Sequence, residues 1–164
     1  MNTQQIRGFK IFMDADKGNC MACHAPPNFT DNGFHNIGLA QFAGDSPDMG
    51  RFAHIPVRVL KGAFKTPSLR NVTLTAPYFH DGSAKTLEDV VAHYVRGGDV
   101  KTNLSPTMKP LSLTPAEQQD LVAFLRALTS PPSSFMLPVL PPEPMISVRS
   151  SPGVESVTET PKSP

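Results

Sequence analysis

The sequence has no tryptophan, only two cysteines, and no marked excess of charge of either sign. Lysine and arginine total 15 against 14 acidic residues. The chain therefore lacks the clustered cations that a nucleic-acid surface or a polybasic membrane anchor requires. No apolar run approaches the roughly 20 residues that cross a bilayer. These absences exclude the nucleic-acid-binding and membrane-spanning classes.

Proline, in contrast, is abundant and unevenly placed, with nine of the 18 prolines in the last 34 residues. From Pro131 onward Pro, Ser, Thr and Glu dominate, and such a segment cannot bury enough apolar surface to offset its ordering entropy. We therefore predict one globular domain over residues 1–130 and an extended or disordered tail over 131–164. In the alternative, the tail lies across the globular surface through Phe135, Met136, Leu137, Val139 and Leu140.

Three amphipathic helices are predicted in the globular part. The first covers residues 4–14, where apolar residues recur at helical spacing. The second follows an N-cap at Thr86 and ends at Gly97, and the third follows an N-cap at Thr114. Each of these two caps has an acidic residue three positions later, as in a capping box. Between the first two helices lie about 70 residues without periodicity, a length that implies organisation by something other than secondary structure.

The cysteines belong to the pentad Cys20-Met21-Ala22-Cys23-His24, a C-x-x-C-H pattern typical of c-type haem attachment. Two thiols at this spacing can form thioethers with the porphyrin vinyl groups, and the adjacent imidazole then reaches the iron. A redox dithiol does not need the histidine, a structural zinc site needs four ligands, and a disulfide at this spacing is strained. The pentad therefore predicts one covalent haem c.

Haem c attachment in bacteria occurs outside the cytoplasm, which predicts a periplasmic protein. Residues 1–5, however, lack the basic start, apolar stretch and cleavage site of a secretory signal. We therefore expect the chain to be a fragment, or to have lost its upstream portion.

The second axial ligand of the iron is left open by the residues alone. Helical periodicity places Tyr94 on the apolar stripe of the second helix, where a plain core tyrosine is the simpler interpretation. Met108 precedes the last helix, where small cytochromes c commonly supply a methionine ligand. The full set of candidates is His35, His54, His80, His93, Met49, Met108 and Tyr94.

Two central segments resemble a known family. Residues 64–72 read FKTPSLRNV and residues 75–83 read TAPYFHDGS. Together they resemble the central signature of the bacterial di-haem cytochrome c peroxidases, which the MauG-type enzymes share. The resemblance runs from about residue 8 to residue 129 and corresponds to the C-terminal haem domain of that family. It implies an all-α, cytochrome c-like domain, with few helices and long loops around one haem c.

The resemblance also implies roles for individual residues. Cys20 and Cys23 match the thioether sites, and His24 matches the proximal ligand. Fourteen residues after His80, where the peroxidases have a methionine ligand and the MauG-type enzymes a tyrosine ligand, this chain has Tyr94. Tyr94 is therefore the favoured distal ligand, and Met108 or an open site are the alternatives.

The resemblance implies further that His80, on a loop between the two haems of the family, takes part in activation and electron transfer. Thr75 and Pro77 match positions whose carbonyls bind calcium. Calcium retention is the less favoured outcome, because another ligand comes from a domain that this chain does not contain. By charge, Arg70 is a candidate partner for a haem propionate, as are Lys65 and Arg51.

A single pentad and the absence of tryptophan distinguish this chain from the complete two-haem enzymes. We expect an electron-transfer domain that relays electrons to or from a catalytic haem domain absent from this chain. The alternatives are a single-haem peroxidase that reduces hydrogen peroxide at its own haem, and a haem-free interaction domain. The expected partner is a second haem domain or a small redox protein, and a homodimer is compatible with the sequence.

Overall fold

The computed structural model describes residues 1–131, 134 and 136–139. Residues Met1–Pro131 form one unit, within which all the helices and strands described below lie. The segment predicted as a tail falls almost entirely outside the described residues, so its extended character stays a prediction.

Three α-helices form where the periodicity predicts them. Helix α1 is Thr3–Met13, α2 is Leu87–Arg96 and α3 is Pro115–Ala127. Both predicted capping boxes are present on α2 and α3. A third capping box, between Asn2 and Gln5, starts α1 one residue earlier than predicted. The expected mostly helical cytochrome c-like fold with long loops is confirmed.

The apolar core lies where α1 crosses α3. Gly8 packs against the backbone carbonyl of Asp120, which leaves no room for a Cβ at this position. The close approach brings the Phe12 and Phe124 rings to a centroid distance of 5.1 Å in an edge-to-face arrangement. At the rim, Arg7 forms a two-nitrogen ion pair with Asp120, with Nε–Oδ2 at 2.6 Å and Nη2–Oδ1 at 2.9 Å. Burial of aromatic and aliphatic side chains therefore joins the first and last helices.

The long segment between α1 and α2 is mostly irregular. Strands β1 (Phe34–His35) and β2 (Phe64–Lys65) pair antiparallel, with Phe34 opposite Lys65 and His35 opposite Phe64. The remaining regular structure consists of short 3-10 turns at Cys20–Ala22, Ala40–Ala43, Arg51–Ala53, Arg58–Leu60 and Val72–Leu74.

Hydrogen bonds to a buried asparagine organise this irregular half. The Asn36 side chain donates from Nδ2 to the Lys61 carbonyl at 3.0 Å and accepts at Oδ1 from the Gly38 N–H at 2.8 Å. Its backbone N–H donates to Ser105 Oγ at 3.0 Å. Only 2% of Asn36 is exposed, so these bonds are shielded from water. None of the described helices combines the length and apolar character needed to cross a membrane.

Candidate functional site

The two cysteines and the following histidine lie on one tight turn just after α1. The backbone N–H groups of Cys23 and His24 both donate to the Cys20 carbonyl, at 3.2 and 2.8 Å. The turn begins at Asn19, which adopts a left-handed backbone conformation with φ of 48°. Asparagine tolerates this conformation better than most residues. The turn thus holds the three chemically important side chains within five residues.

His24 is oriented by a hydrogen bond to a backbone carbonyl. Its Nδ1 lies 2.9 Å from the Phe29 carbonyl oxygen, which can only accept, so Nδ1 carries the proton. Burial lowers the pKa of His24 and outweighs the opposing effect of this carbonyl. The neutral ring therefore keeps the lone pair of Nε2 for a metal ion.

Both cysteines are free thiols that are half-buried. Cys20 Sγ donates to the Gly18 carbonyl at 3.4 Å. Burial raises the pKa of Cys20 to about 12 and raises that of Cys23 as well. A reactive redox dithiol requires a lowered thiol pKa. The environment of this pair is therefore unlike that of a redox dithiol.

Tyr94 lies on α2, where its ring packs edge-on against Phe79 and His93 with centroids 6.4 and 5.6 Å apart. Burial raises the pKa of Tyr94 well above its ordinary range, and Cys20 and Cys23, when ionised, would raise it further. Tyr94 is therefore within electrostatic range of both sulfurs.

Met108 also lies in a segment that reaches the turn. Met108 is buried, with 9% of its surface exposed, and its N–H donates to the Ser105 carbonyl at 2.8 Å. The adjacent Thr107 Oγ1 lies 3.9 Å from Cys23 Sγ. Of the seven candidate ligands, the structure thus brings His35 and the segment of Met108 close to Cys23, and Tyr94 on α2 lies within electrostatic range of both thiols.

Three of the candidate histidines are hydrogen-bonded to other groups of the protein. His35 donates from Nε2 to Asp31 at 2.7 Å, and His80 donates from Nε2 to Asp48 at 2.8 Å. His93 is only 2% exposed and bonds through Nε2 to the Ile37 carbonyl at 2.9 Å. The helical periodicity therefore did not predict the most buried residue of α2, which is the hydrogen-bonded His93 rather than Tyr94. His54 is exposed.

His80 and Arg70 lie on the surface of the domain. The His80 ring stacks on Phe64, with centroids 3.7 Å apart and planes inclined by 19°. Arg70 donates from Nε and Nη2 to the Pro27 carbonyl, at 3.0 and 2.8 Å. Of the other cations considered for a propionate, Arg51 lies over the Phe34 ring and Lys65 donates to the Thr66 carbonyl. Thr75 and Pro77 are exposed, and calcium binding there stays a prediction.

Comparison with known proteins agrees with this arrangement of fold and turn. The family model described as Cytochrome c matches residues 5–129. This chain belongs to the cytochrome c family. It is 45% identical over 135 residues to the methylamine utilization protein MauG of Methylorubrum extorquens, covering 82% of this chain and 37% of that protein. It is 35% identical over 171 residues to the cytochrome-c peroxidase IdrP1 of a Pseudomonas species, covering 87% of this chain and 45% of that protein.

Among solved structures, a MauG-like protein associated with microbial copper homeostasis superimposes with a TM-score of 0.73 and 31% identity. The match covers 80% of this chain and 48% of that structure. This cytochrome c domain is therefore related to the di-haem peroxidase and MauG family, and it spans less than half the length of these relatives.

A cytochrome c domain implies covalently bound haem c, and the residues on the turn fit that group. The two thiols are free and have the spacing that haem attachment requires. The Phe29 carbonyl accepts the Nδ1 proton of His24, which leaves the lone pair of Nε2 available to the iron. Cys20 and Cys23 would form the thioether links and His24 would supply an axial nitrogen.

Two features of this cytochrome c domain have no signal in the sequence. Lys101 Nζ donates to three carbonyls at the end of α2, those of Arg96, Gly97 and Gly98, at 2.6, 2.8 and 2.7 Å. The ammonium thereby neutralises the negative end of the helix that carries Tyr94. A lysine five residues beyond a helix is too common to predict such a contact.

The second feature is a group of three potential metal ligands beside the turn. Ligand atoms of Cys23, Asp31 and His35 lie within 4.8 Å of one another. Although burial alone would raise the pKa of Asp31, hydrogen bonds from His35 and Gly33 lower it to about 2. Once Cys23 is a thioether, however, its sulfur is no longer the thiolate that a transition metal prefers. The group therefore belongs to the surroundings of the haem attachment turn.

Proposed function

We propose that this chain is the electron-transfer haem domain of a periplasmic di-haem oxidoreductase of the cytochrome c peroxidase and MauG type. In this role it relays electrons to or from a catalytic haem domain that these residues do not include. The share of the relatives that it covers, 37% of MauG and 45% of IdrP1, supports a role as one part of a larger protein. Haem c attachment outside the cytoplasm supports the periplasmic location.

The attachment turn, with two free thiols and a His24 ring oriented at Nδ1 by the Phe29 carbonyl, is the observation that carries this proposal. A tyrosine opposite His24 would complete two axial ligands, and an iron with two protein ligands has no position at which peroxide can bind. An anionic oxygen ligand favours ferric over ferrous iron and lowers the reduction potential. A bound metal ion must also lower the pKa of Tyr94, against the burial that raises it in the metal-free protein.

The exposed face near His80 supports an outward route for electrons. The side chain of His80 is 43% exposed, and the ring stacks on Phe64 while Asp48 binds its Nε2. A flat aromatic pair on the surface suits contact with a second haem domain or a small redox protein. His80 is therefore proposed as a residue of the electron-transfer surface.

Haem content and peroxide reactivity test the function of the domain. The chain is expressed with a periplasmic leader and haem c maturation, and the pyridine haemochrome spectrum should show one haem c. Rapid mixing with hydrogen peroxide should produce no fast change in absorbance, because both axial positions are occupied. A fast change would favour the single-haem peroxidase, and an absence of haem c would leave only a haem-free interaction domain.

Replacement of Tyr94 by phenylalanine tests the distal ligand. The Tyr94→Phe variant should change the absorption spectrum of the ferric protein and raise its reduction potential, because the anionic oxygen is lost. Tyr78, the other tyrosine of the chain, provides the matched control, and Tyr78→Phe should leave the spectrum unchanged. An unchanged spectrum in Tyr94→Phe, together with a changed one in Met108→Leu, would assign the ligand to Met108.

A further inference from the structure

The loop that follows His24 contains a strained residue at the point where it contacts the histidine. Phe29, whose carbonyl accepts from His24 Nδ1, has a left-handed backbone with φ of 54°. A bulky residue in this conformation is strained and persists only where its surroundings hold it. The position of this carbonyl therefore depends on contacts made by the neighbouring residues.

Residues 66–70 supply those contacts from the opposite side of the loop. Arg70 binds the Pro27 carbonyl through two nitrogens, at 3.0 and 2.8 Å. Ser68 Oγ donates to the Asn28 carbonyl at 2.7 Å and accepts from the Arg70 N–H at 3.1 Å. The two carbonyls before Phe29 are thus both held by side chains of one segment.

The residue after Phe29 is held by the same segment. Thr30 Oγ1 donates to the Thr66 carbonyl at 2.7 Å. The Phe29 ring itself packs on Phe12 of α1, with centroids 6.1 Å apart and planes inclined by 70°. Phe29 is therefore fixed on both sides by hydrogen bonds and at its ring by the apolar core.

We propose that Arg70, assisted by Ser68, is a positioning residue for His24 and acts through the carbonyls of residues 27–29. This inference rests on the proposed role of His24 as an iron ligand. A strong hydrogen bond at Nδ1 fixes the tautomer and raises the basicity of Nε2, which lowers the reduction potential of a bound iron. This positioning of His24 is a role for Arg70 that differs from pairing with a haem propionate.

The test uses the haem-loaded full chain with Arg70→Met, Arg70→Lys and Arg58→Met. Arg58 is exposed, so the Arg58→Met control removes the same charge without touching the loop. Two properties are measured, the reduction potential and the rate at which the His24 Nδ1 proton exchanges with solvent in NMR spectra. Loss of an outer hydrogen-bonding partner of a metal ligand typically weakens the site 10- to 100-fold.

Arg70→Met should therefore accelerate Nδ1 proton exchange about tenfold and raise the potential above that of Arg58→Met. Arg70→Lys should recover part of both effects, because an ammonium can still donate one bond to the Pro27 carbonyl. Ser68→Ala, a smaller change that spares the fold, should shift both properties in the same direction and by less.

The inference is overturned if exchange of the Nδ1 proton in Arg70→Met and Ser68→Ala matches that of the unmodified chain. A change in the pH dependence of the potential without faster exchange would also overturn it, because Arg70 would then act on a propionate. Failure of the unmodified chain to incorporate haem c, or absence of His24 ligation in it, would contradict the proposed function itself. The results that would contradict the positioning role of Arg70 therefore differ from those that would contradict the proposed function.

Discussion

The helical half and the irregular half of this domain are stabilised by different interactions. Between α1 and α3 the contacts are apolar, with Phe12 only 1% and Phe124 only 2% exposed. In the irregular half the side chains removed from water include polar ones, such as Asn36 and Thr66, whose partners are backbone groups. The first type of contact depends on volume and tolerates small shifts, whereas the second depends on the placement of individual atoms.

This difference matches what each half contributes to the site. The helices supply a stable frame, and Tyr94 depends on α2, which is capped at Thr86 and closed at its end by Lys101. His24 instead depends on a chain of carbonyl contacts that runs through Phe29 and the loop before Arg70. Substitutions in the frame should therefore change stability, and substitutions in the irregular half should change the properties of the haem as well.

Gly8→Ala should have the largest effect on stability. In an unobstructed helix this change would gain about 1 kcal/mol, because alanine favours helix more than glycine does. Here the added Cβ would overlap the Asp120 carbonyl and crowd Phe124 Cβ, so α1 must move away from α3. We expect the free energy of unfolding to fall by about 3 kcal/mol, the upper range for overpacking.

Urea unfolding of the haem-loaded chain measures this effect, with Lys10→Ala on the exposed side of α1 as the control. The control should stay within about 0.5 kcal/mol of the unmodified chain. The absorption spectrum of folded Gly8→Ala should be unchanged. A stabilised variant would show that the two helices are not closely packed at Gly8.

Compared with Gly8→Ala, Asn36→Leu should destabilise the domain less and disturb the haem site more. The change removes the acceptor for the buried Gly38 N–H, whereas the Lys61 carbonyl retains a bond from Asn103 at 3.0 Å. One unsatisfied buried group costs about 2 kcal/mol. The same segment holds His93 through the Ile37 carbonyl, so the change should reach the neighbouring Tyr94.

The measurements are urea unfolding and the reduction potential, with Ser46→Ala, which alters an exposed side chain of the same half, as the control. We expect a shifted potential in Asn36→Leu and an unshifted one in Gly8→Ala. If both variants lost stability with the same potential, the proposed division between frame and irregular half would be wrong.

The same division explains how much the sequence can predict. Periodicity and capping residues predict α2 from Thr86 to Gly97, because a helix repeats one local geometry that neighbouring residues report. The roles of Asn36 and Arg70 depend on carbonyls of residues 25 and 43 positions away, and no local pattern encodes such contacts. The pentad at residues 20–24 predicts the cofactor because the spacing of the three side chains is itself the chemical requirement.

The smallest expected effect concerns Glu117, which joins the two halves at the start of α3. Its carboxylate accepts from the Thr114 N–H at 2.8 Å and from Lys17 Nζ, on the loop after α1, at 2.9 Å. The backbone N–H of Thr114 and then the bond from Lys17 lower the pKa of Glu117 to about 2, from an ordinary value of 4.5. A lowered pKa in the folded state means that the carboxylate stabilises the fold above pH 4.5 and that this contribution is lost as the pH falls towards 2.

The comparison of Glu117→Gln with the unmodified chain in urea at several pH values tests this effect. The unmodified chain should be the more stable at pH 7, and the difference should shrink between pH 4.5 and 2 because the carboxyl group then becomes neutral in both states. Lys17→Met should narrow the pH range over which the difference shrinks, because the folded-state pKa of Glu117 then lies closer to 4.5. The bond from the Thr114 N–H remains and keeps this pKa below 4.5. A difference between Glu117→Gln and the unmodified chain that stays constant down to pH 2 would show that the charge of Glu117 does not connect the frame to the loop.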